Sequence, residues 1–368
     1  MALEVFKKLP LGGLDRRALA TSLAAHGKST AVARLAEQRA LVRPSVARIA
    51  QDMAILVLGG SNGITRALAI QLLFGARAAV YGVHFDSEKL QIGFFHVEAL
   101  VEAAAAEGLV ARFWNEDATR RSTLEAVIGE LRGRYRAVHL VNGIAAGATK
   151  RYAEHGPTQV KDLDVAFHPV LQVPDFSRPE NIRKLGLVEV EVATDADIER
   201  TNRFMGTSSL LWAEALAEAG LLSAGESIIA FCDYDYPAED PVYAMGPLAG
   251  AKKLQRESMS EIRRRFGART ARLCYPAMAT TALGAIPGGL LMFALSAQIL
   301  KERRQYRDIP ELATESMALF APAWDGGDLR LDAAYQECLP EFSARSRAIE
   351  PSDLPHALAL LFTPGRPL

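Results

Sequence analysis

Apolar and polar positions along the middle of the chain keep two alternating periods. Mainly apolar runs of strand length occur at Ile55–Leu58, Ala78–Phe85, Leu109–Trp114, Ala137–Asn142 and Ser227–Cys232. Between them lie stretches with apolar residues every three or four positions, at Ala67–Phe74, Phe94–Glu107, Ser122–Arg134 and Leu210–Ala219. The first period suits buried strands and the second amphipathic helices. Their succession predicts an α/β fold, a parallel sheet wound on both faces, with ligands at the carboxyl ends of its strands.

The pattern changes on either side of this core. Residues 1–52 read as a helical N-terminal appendage, with helices at Leu14–Ala25 and Ser29–Leu41 and Gly27 as a stop between them. Leu35, Ala36 and Leu41 would form its apolar stripe, packed on the main domain, on a second copy in a homodimer, or on a protein partner. Residues 53–368 form the main domain. Its insertion, about 150–192, holds strand-like runs at 165–171 and 187–192, and excursions of that length usually cover a site. Thr194 to Asp197 caps a helix, and Pro247 suits the first turn of another that runs to Phe266. A loop and helix at about 280–303 include the apolar run Gly288–Leu300, which either lines a pocket or packs in the core. Ile309–Phe320, Leu329–Phe342 and Leu354–Phe362 read as closing helices.

Glycines after the first strand sharpen the picture. Gly59, Gly60, Ser61, Asn62, Gly63 and Ile64 lead from a buried strand straight into a helix. Bare backbone N–H groups and the positive end of a helix dipole then meet at one point, where a pyrophosphate can sit. This is the Rossmann arrangement. Asp86 ends the second strand beyond Phe85, roughly 20 residues after the turn, where a carboxylate accepts from an adenosine ribose and repels a 2′-phosphate. NADH is therefore expected over NADPH; the plain alternative is a solvated Asp86 in a loop. Asp117, before Ala118, follows the third strand and can meet an adenine amino group. After the fourth strand, Asn142 to Ala148 is a tract of small residues that either admits a nicotinamide ribose or is a tight turn.

Composition closes other routes. The 368 residues carry a net charge of −1, which offers nothing to nucleic acid. Three cysteines, Cys232, Cys274 and Cys338, lack metal-ligand spacing and read as reduced thiols, so a cytoplasmic setting and no metal are expected. No apolar run is long enough for stable membrane insertion.

A tyrosine on the loop after the fifth strand and a lysine beyond the first turn of the next helix can converge on one ligand. The ammonium lowers the phenol pKa and binds ribose hydroxyls, while the phenol donates to a carbonyl oxygen that gains charge. Tyr243 has Lys252 nine positions on, whereas Lys253 reads as a solvated charge. Tyr-x8-Lys here resembles the trans-2-enoyl-CoA / enoyl-acyl-carrier-protein reductases of the FabV type, divergent members of the short-chain dehydrogenase/reductase superfamily. The likeness extends in order through the turn at Gly59–Gly63, Gly82–Asp86, Leu211–Leu222, Thr280–Pro287 and Leu329–Asp332.

That resemblance implies NADH-dependent reduction of an enoyl thioester, carried on coenzyme A or acyl-carrier protein, in fatty acid or polyketide metabolism. It makes Tyr243 the enolate-stabilising tyrosine, Lys252 the lysine that orients cofactor and tyrosine, and Tyr234 a second active-site tyrosine. It places Thr280 beside nicotinamide and substrate, Ile144 and Ala145 along the cofactor after the fourth strand, and Asp117 at the adenine. Two departures stand out. The family's third turn glycine is Thr65 here, and the stretch between Tyr234 and Tyr243 is one residue shorter and lacks the family's tryptophan. A carbonyl or imine reductase, or a non-catalytic cofactor-binding or docking protein, would fit the same scaffold.

Overall fold

In the computed structural model, residues 16–44, 49–86, 92–168, 171–237, 240–324 and 326–362 are described, with 16–24 as backbone path alone. Helix α1 (Arg16–Ala40) leads into a series of strands and helices. These are β1 (Met53–Leu58), α2 (Gly63–Ile70), β2 (Ala79–His84), α3 (Ile92–Ala106), β3 (Ala111–Asn115), α4 (Arg121–Leu131) and β4 (Ala137–Asn142). A hairpin follows, β5 (Gln159–Val165) and β6 (Ile182–Glu189). Then come α5 (Asp195–Thr201), α6 (Ser208–Glu218), β7 (Ile228–Tyr234), α7 (Pro247–Phe266) and β8 (Arg269–Tyr275). The chain closes with α8 (Gly289–Glu302), α9 (Ile309–Ser316), β9 (Gly327–Arg330), α10 (Ala333–Ala348) and α11 (Leu354–Leu361).

Seven strands form one parallel sheet in the order β3-β2-β1-β4-β7-β8-β9, and β5 pairs with β6 in a separate antiparallel ribbon. Side chains on a strand alternate between faces, and β1 shows the result. Ile55 and Val57 join Leu68, Leu100 and Leu312 on one side, while Leu56 and Leu58 join Leu131, Trp212 and Ile262 on the other. Each fully buried aliphatic side chain of this kind contributes roughly 1.5–3 kcal/mol. The strand order reverses between β1 and β4, so their carboxyl ends open a crevice.

Four expectations are corrected. Helix α1 is continuous through Gly27, and the expected start at Leu14 lies outside the described residues. Gly27 is a crossing point: a Cβ there would come within 2.7 Å of the Phe95 ring on α3. The buried stripe is Ala31 and Leu35, packed in the same cluster as Phe95 and Ala99, whereas Ala36 and Leu41 are exposed. Strand β8 was not expected, because Arg269 and Arg272 interrupt its apolar run; Arg272 reaches out to Asp328 at 2.7 Å. Leu329 and Arg330 belong to the short edge strand β9, held by β8, where a helix start was expected. In the insertion, strand pairing runs from Gln159 to Val165 and ends where 165–171 was expected to begin; Pro169 and Val170 lie outside the described residues.

Candidate active site

The crevice above β1 and β4 is shaped by close backbone contacts. Gly59 takes φ +80, and a Cβ there would press within 2.9 Å of the Gly143 carbonyl oxygen, so only glycine fits. Asn62 is the extended N-cap of α2 and makes no side-chain cap hydrogen bond, and the first turn of that helix lines the crevice. Thr65 does not hold the helix away. Its hydroxyl donates to the Gly59 carbonyl at 2.7 Å, and its methyl fills the space above Gly143, where a Cβ would lie 2.1 Å from Thr65 Cγ2. Gly143 thus supplies the room that a glycine at 65 would otherwise leave.

Gly59, Ser61, Asn62, Gly63, Ile64, Phe85, Asp86, Ala118, Ile144, Ala145 and Thr280 all line this one cleft. The Asp86 carboxylate is 5% exposed and shares a 2.8 Å hydrogen bond with His84 Nδ1. It also crowds the first turn of α3, where a Cβ at Gly93 would meet it at 2.6 Å. Asp117 stands apart: its carboxylate accepts from the Thr119 amide and hydroxyl at 2.8 and 2.7 Å, and Glu116 and Ala118 line the cleft at that level. The buried Asp86 carboxylate with the small Ala118, then the glycine turn, then the small Ala145 fit a dinucleotide from adenosine ribose to nicotinamide, because they follow one another along the cleft in that order.

Beyond Ile144 and Ala145 the cleft continues into a second pocket, walled by Tyr234, Tyr236, Tyr243, Lys252, Thr280 and Ile286 among others. Tyr243 lies on a turn held by Asp240, whose carboxylate accepts from the Val242 and Tyr243 amides at 3.0 and 2.9 Å. Extended Gly246 then starts α7 with Pro247, and about one and a half turns on Lys252 faces back toward the loop. Lys252 Nζ stands 5.4 Å from the centre of the Tyr243 ring and 5.6 Å from that of Tyr236. It pairs with Asp233 at 2.6 Å and donates to the Tyr234 carbonyl. Tyr236 stacks on Tyr243, with ring centres 3.3 Å apart and planes 10° from parallel. The expected lowering by Lys252 does not prevail: burial raises the Tyr243 phenol well above its ordinary value, and a hydrogen bond from Tyr236 opposes that rise. Tyr234 is pushed up by burial as well.

Two members of this group were missed from sequence. Asp233 is 2% exposed and lies between Lys252 and Arg272. Tyr236 stood in plain view in Asp-Tyr-Asp-Tyr-Pro, a run that reads as polar loop. The pocket wall after β8 is the loop through Thr280 and Ile286; α8 itself is buried along its length against Leu163, Phe176 and Leu185. The three thiols are free, and burial pushes Cys232 and Cys274 up to about 12 and Cys338 up to about 11. Among the described residues no cluster of His, Cys, Asp and Glu suits a metal ion, and no helix is long and apolar enough to cross a membrane.

Comparison with known proteins identifies the family. The enoyl-[acyl-carrier-protein] reductase [NADH] of Burkholderia vietnamiensis is 29% identical over 310 residues, covering 79% of this chain and 75% of that protein. The enzyme of that name from Erwinia tasmaniensis is 28% identical, covering 81% and 77%. Among solved structures, the trans-2-enoyl-CoA reductase of Clostridium acetobutulicum in complex with NADH superposes with a TM-score of 0.71 at 19% identity, over 92% of each chain. That of Treponema denticola in complex with NAD gives 0.66 at 20%, over 93% of this chain and 91% of the other. The family model for the trans-2-enoyl-CoA reductase catalytic region matches residues 89–318. With more than half its length under that match, the chain belongs to the trans-2-enoyl-CoA reductase family.

Proposed function

We propose that the protein reduces the C2=C3 double bond of an enoyl thioester, carried on coenzyme A or acyl-carrier protein, with NADH as the hydride donor. The observation that carries this reading is the convergence of Tyr243 and Lys252 on the pocket that Ile144 and Thr280 share with the dinucleotide cleft. A reduced nicotinamide bound there would supply a hydride to C3. The chain's own residues handle the charge that follows. Negative charge grows on the thioester oxygen, and the Tyr243 hydroxyl is the donor placed to meet it. Its raised pKa keeps the phenol protonated, and so able to donate, at neutral pH. Lys252, fixed by Asp233 and the Tyr234 carbonyl, holds a positive charge beside the same rings. Proton delivery to C2 completes the reduction. The Asp86 carboxylate supports NADH over NADPH, because it would repel a 2′-phosphate.

The test is NADH consumption with crotonyl-CoA in the wild type and in Tyr243→Phe. Loss of one such donor costs about 2.7–4 kcal/mol of transition-state stabilisation, so turnover should fall roughly 100- to 1,000-fold. NADH binding, followed by fluorescence, should stay within about twofold. Full turnover in Tyr243→Phe would refute the assignment, and faster reduction of acetoacetyl-CoA than of crotonyl-CoA would favour a ketone reductase.

A further inference from the structure

Behind the dinucleotide turn, α1, α2, α3 and the loops around Thr280 and Arg307 line a second, solvent-open cavity of about 340 Å³. Arg66 of α2 lines it and is 6% exposed. Its Nε and one terminal nitrogen are buried with no hydrogen-bond partner among the described residues. His96 Nδ1 and Gln38 Oε1, from residues in the same wall, are also buried and unpartnered. A buried guanidinium ordinarily meets a carboxylate, because an uncompensated charge is costly away from water. Among the described residues the charge acting on Arg66 is Arg34, of the same sign, and His96 is acted on by both arginines. The carboxylates nearby are engaged elsewhere. Glu37 pairs with Arg34 at 3.0 Å, and Asp308 caps α9 by accepting from the Glu311 amide at 2.9 Å. Arg307 is paired with Glu315.

We propose that this cavity is a second anion site, built to take a phosphate group at Arg66. A phosphate would supply the counter-charge that Arg66 lacks among the described residues, and its several oxygens suit a planar guanidinium fork; Thr280 and Thr281 line the same cavity. The pyrophosphate position at the start of α2 is distinct from it, although the two cavities share Asn62, Gly63, Thr280 and Thr281 as a common rim. The phosphate has two possible sources, free inorganic phosphate or the carrier end of the thioester substrate reaching over that rim. The second source rests on the proposed reductase activity; the site itself does not.

Thermal shift and calorimetric titration of the full chain with inorganic phosphate, against chloride at equal ionic strength, test the site. Phosphate should raise the wild-type Tm, and Arg66→Leu should weaken phosphate binding about tenfold or more. Arg34→Gln, on the outer wall, should weaken it several-fold and decides the matter should Arg66→Leu fail to fold. In phosphate-free buffer Arg66→Leu should melt at or above the wild type, since it removes a buried charge without a partner. Crotonyl-CoA and the phosphate-free crotonyl thioester of N-acetylcysteamine then separate the sources. A carrier phosphate predicts a raised KM in Arg66→Leu for the first substrate alone; free phosphate predicts no change in either. No phosphate-specific shift in the wild type, equal binding by wild type and Arg66→Leu, or unchanged binding in Arg34→Gln would overturn the site, whether or not either thioester is reduced.

Discussion

At the scale of single residues, the pocket depends on a buried carboxylate that holds the lysine. Asp233 lies within 2.6 Å of Lys252 and 3.4 Å of Arg272. Arg272 keeps Asp328 and Asp235 when Asp233 is lost, but Lys252 keeps a backbone carbonyl and two aromatic rings and no carboxylate among its described contacts. Asp233→Ala should therefore destabilise the fold by about 3–5 kcal/mol in chemical denaturation, and adding Lys252→Met should recover part of the loss. Strict additivity of the two changes would show that the pair is not coupled. Tyr243 and Lys252 were singled out in the sequence by the family resemblance around them, with their spacing as its specific part. Asp233 was not, since Asp233 and Asp235 look alike in the run; only the fold buries one and leaves the other a third exposed.

At the scale of elements, the turn between β1 and α2 is fitted to the end of β4 through one methyl group. Thr65 occupies the volume that Gly143 leaves free, so Gly143→Ala should cost about 1–3 kcal/mol and weaken NADH binding. Thr65→Gly in the same chain should relieve most of that penalty, and a double-mutant cycle on stability and NADH affinity measures the coupling. Penalties that simply add would place the two residues apart. Most of the sheet was readable, because strands buried on both faces, such as Met53–Leu58, leave an unbroken apolar signature. Strand β8 broke that signature with Arg269 and Arg272, and β9 is too short to carry one. The continuity of α1 was hidden for another reason. A glycine needed for close approach to Phe95 looks the same in sequence as a glycine that ends a helix.

For the molecule as a whole, two buried histidines set its response to acid. Burial pushes His139 down to about 4, and its Nδ1 accepts the Ile228 amide at 3.1 Å, a bond that protonation there would abolish. Burial and the nearby arginines push His96 down to about 2. Both folded-state values lie below the unfolded value near 6.5, so their contribution is complete above that pH and declines as pH falls toward 4. At pH 5 the loss should be about 2 kcal/mol for each histidine. Urea denaturation across pH 5–8 checks this, and His139→Gln should flatten the curve; an unchanged slope would mean that His139 is not the titrating group. Elsewhere in the molecule, neighbouring residues of β5 hold two different helices. Lys161 donates to the Ser346 and Ile349 carbonyls at the end of α10, and Asp162 accepts from the Gly288 and Leu291 amides at the start of α8. The hairpin is thus a rivet through both helices, and admitting a longer acyl tail beneath the Thr280–Ile286 loop would have to shift ribbon and helices together as one block.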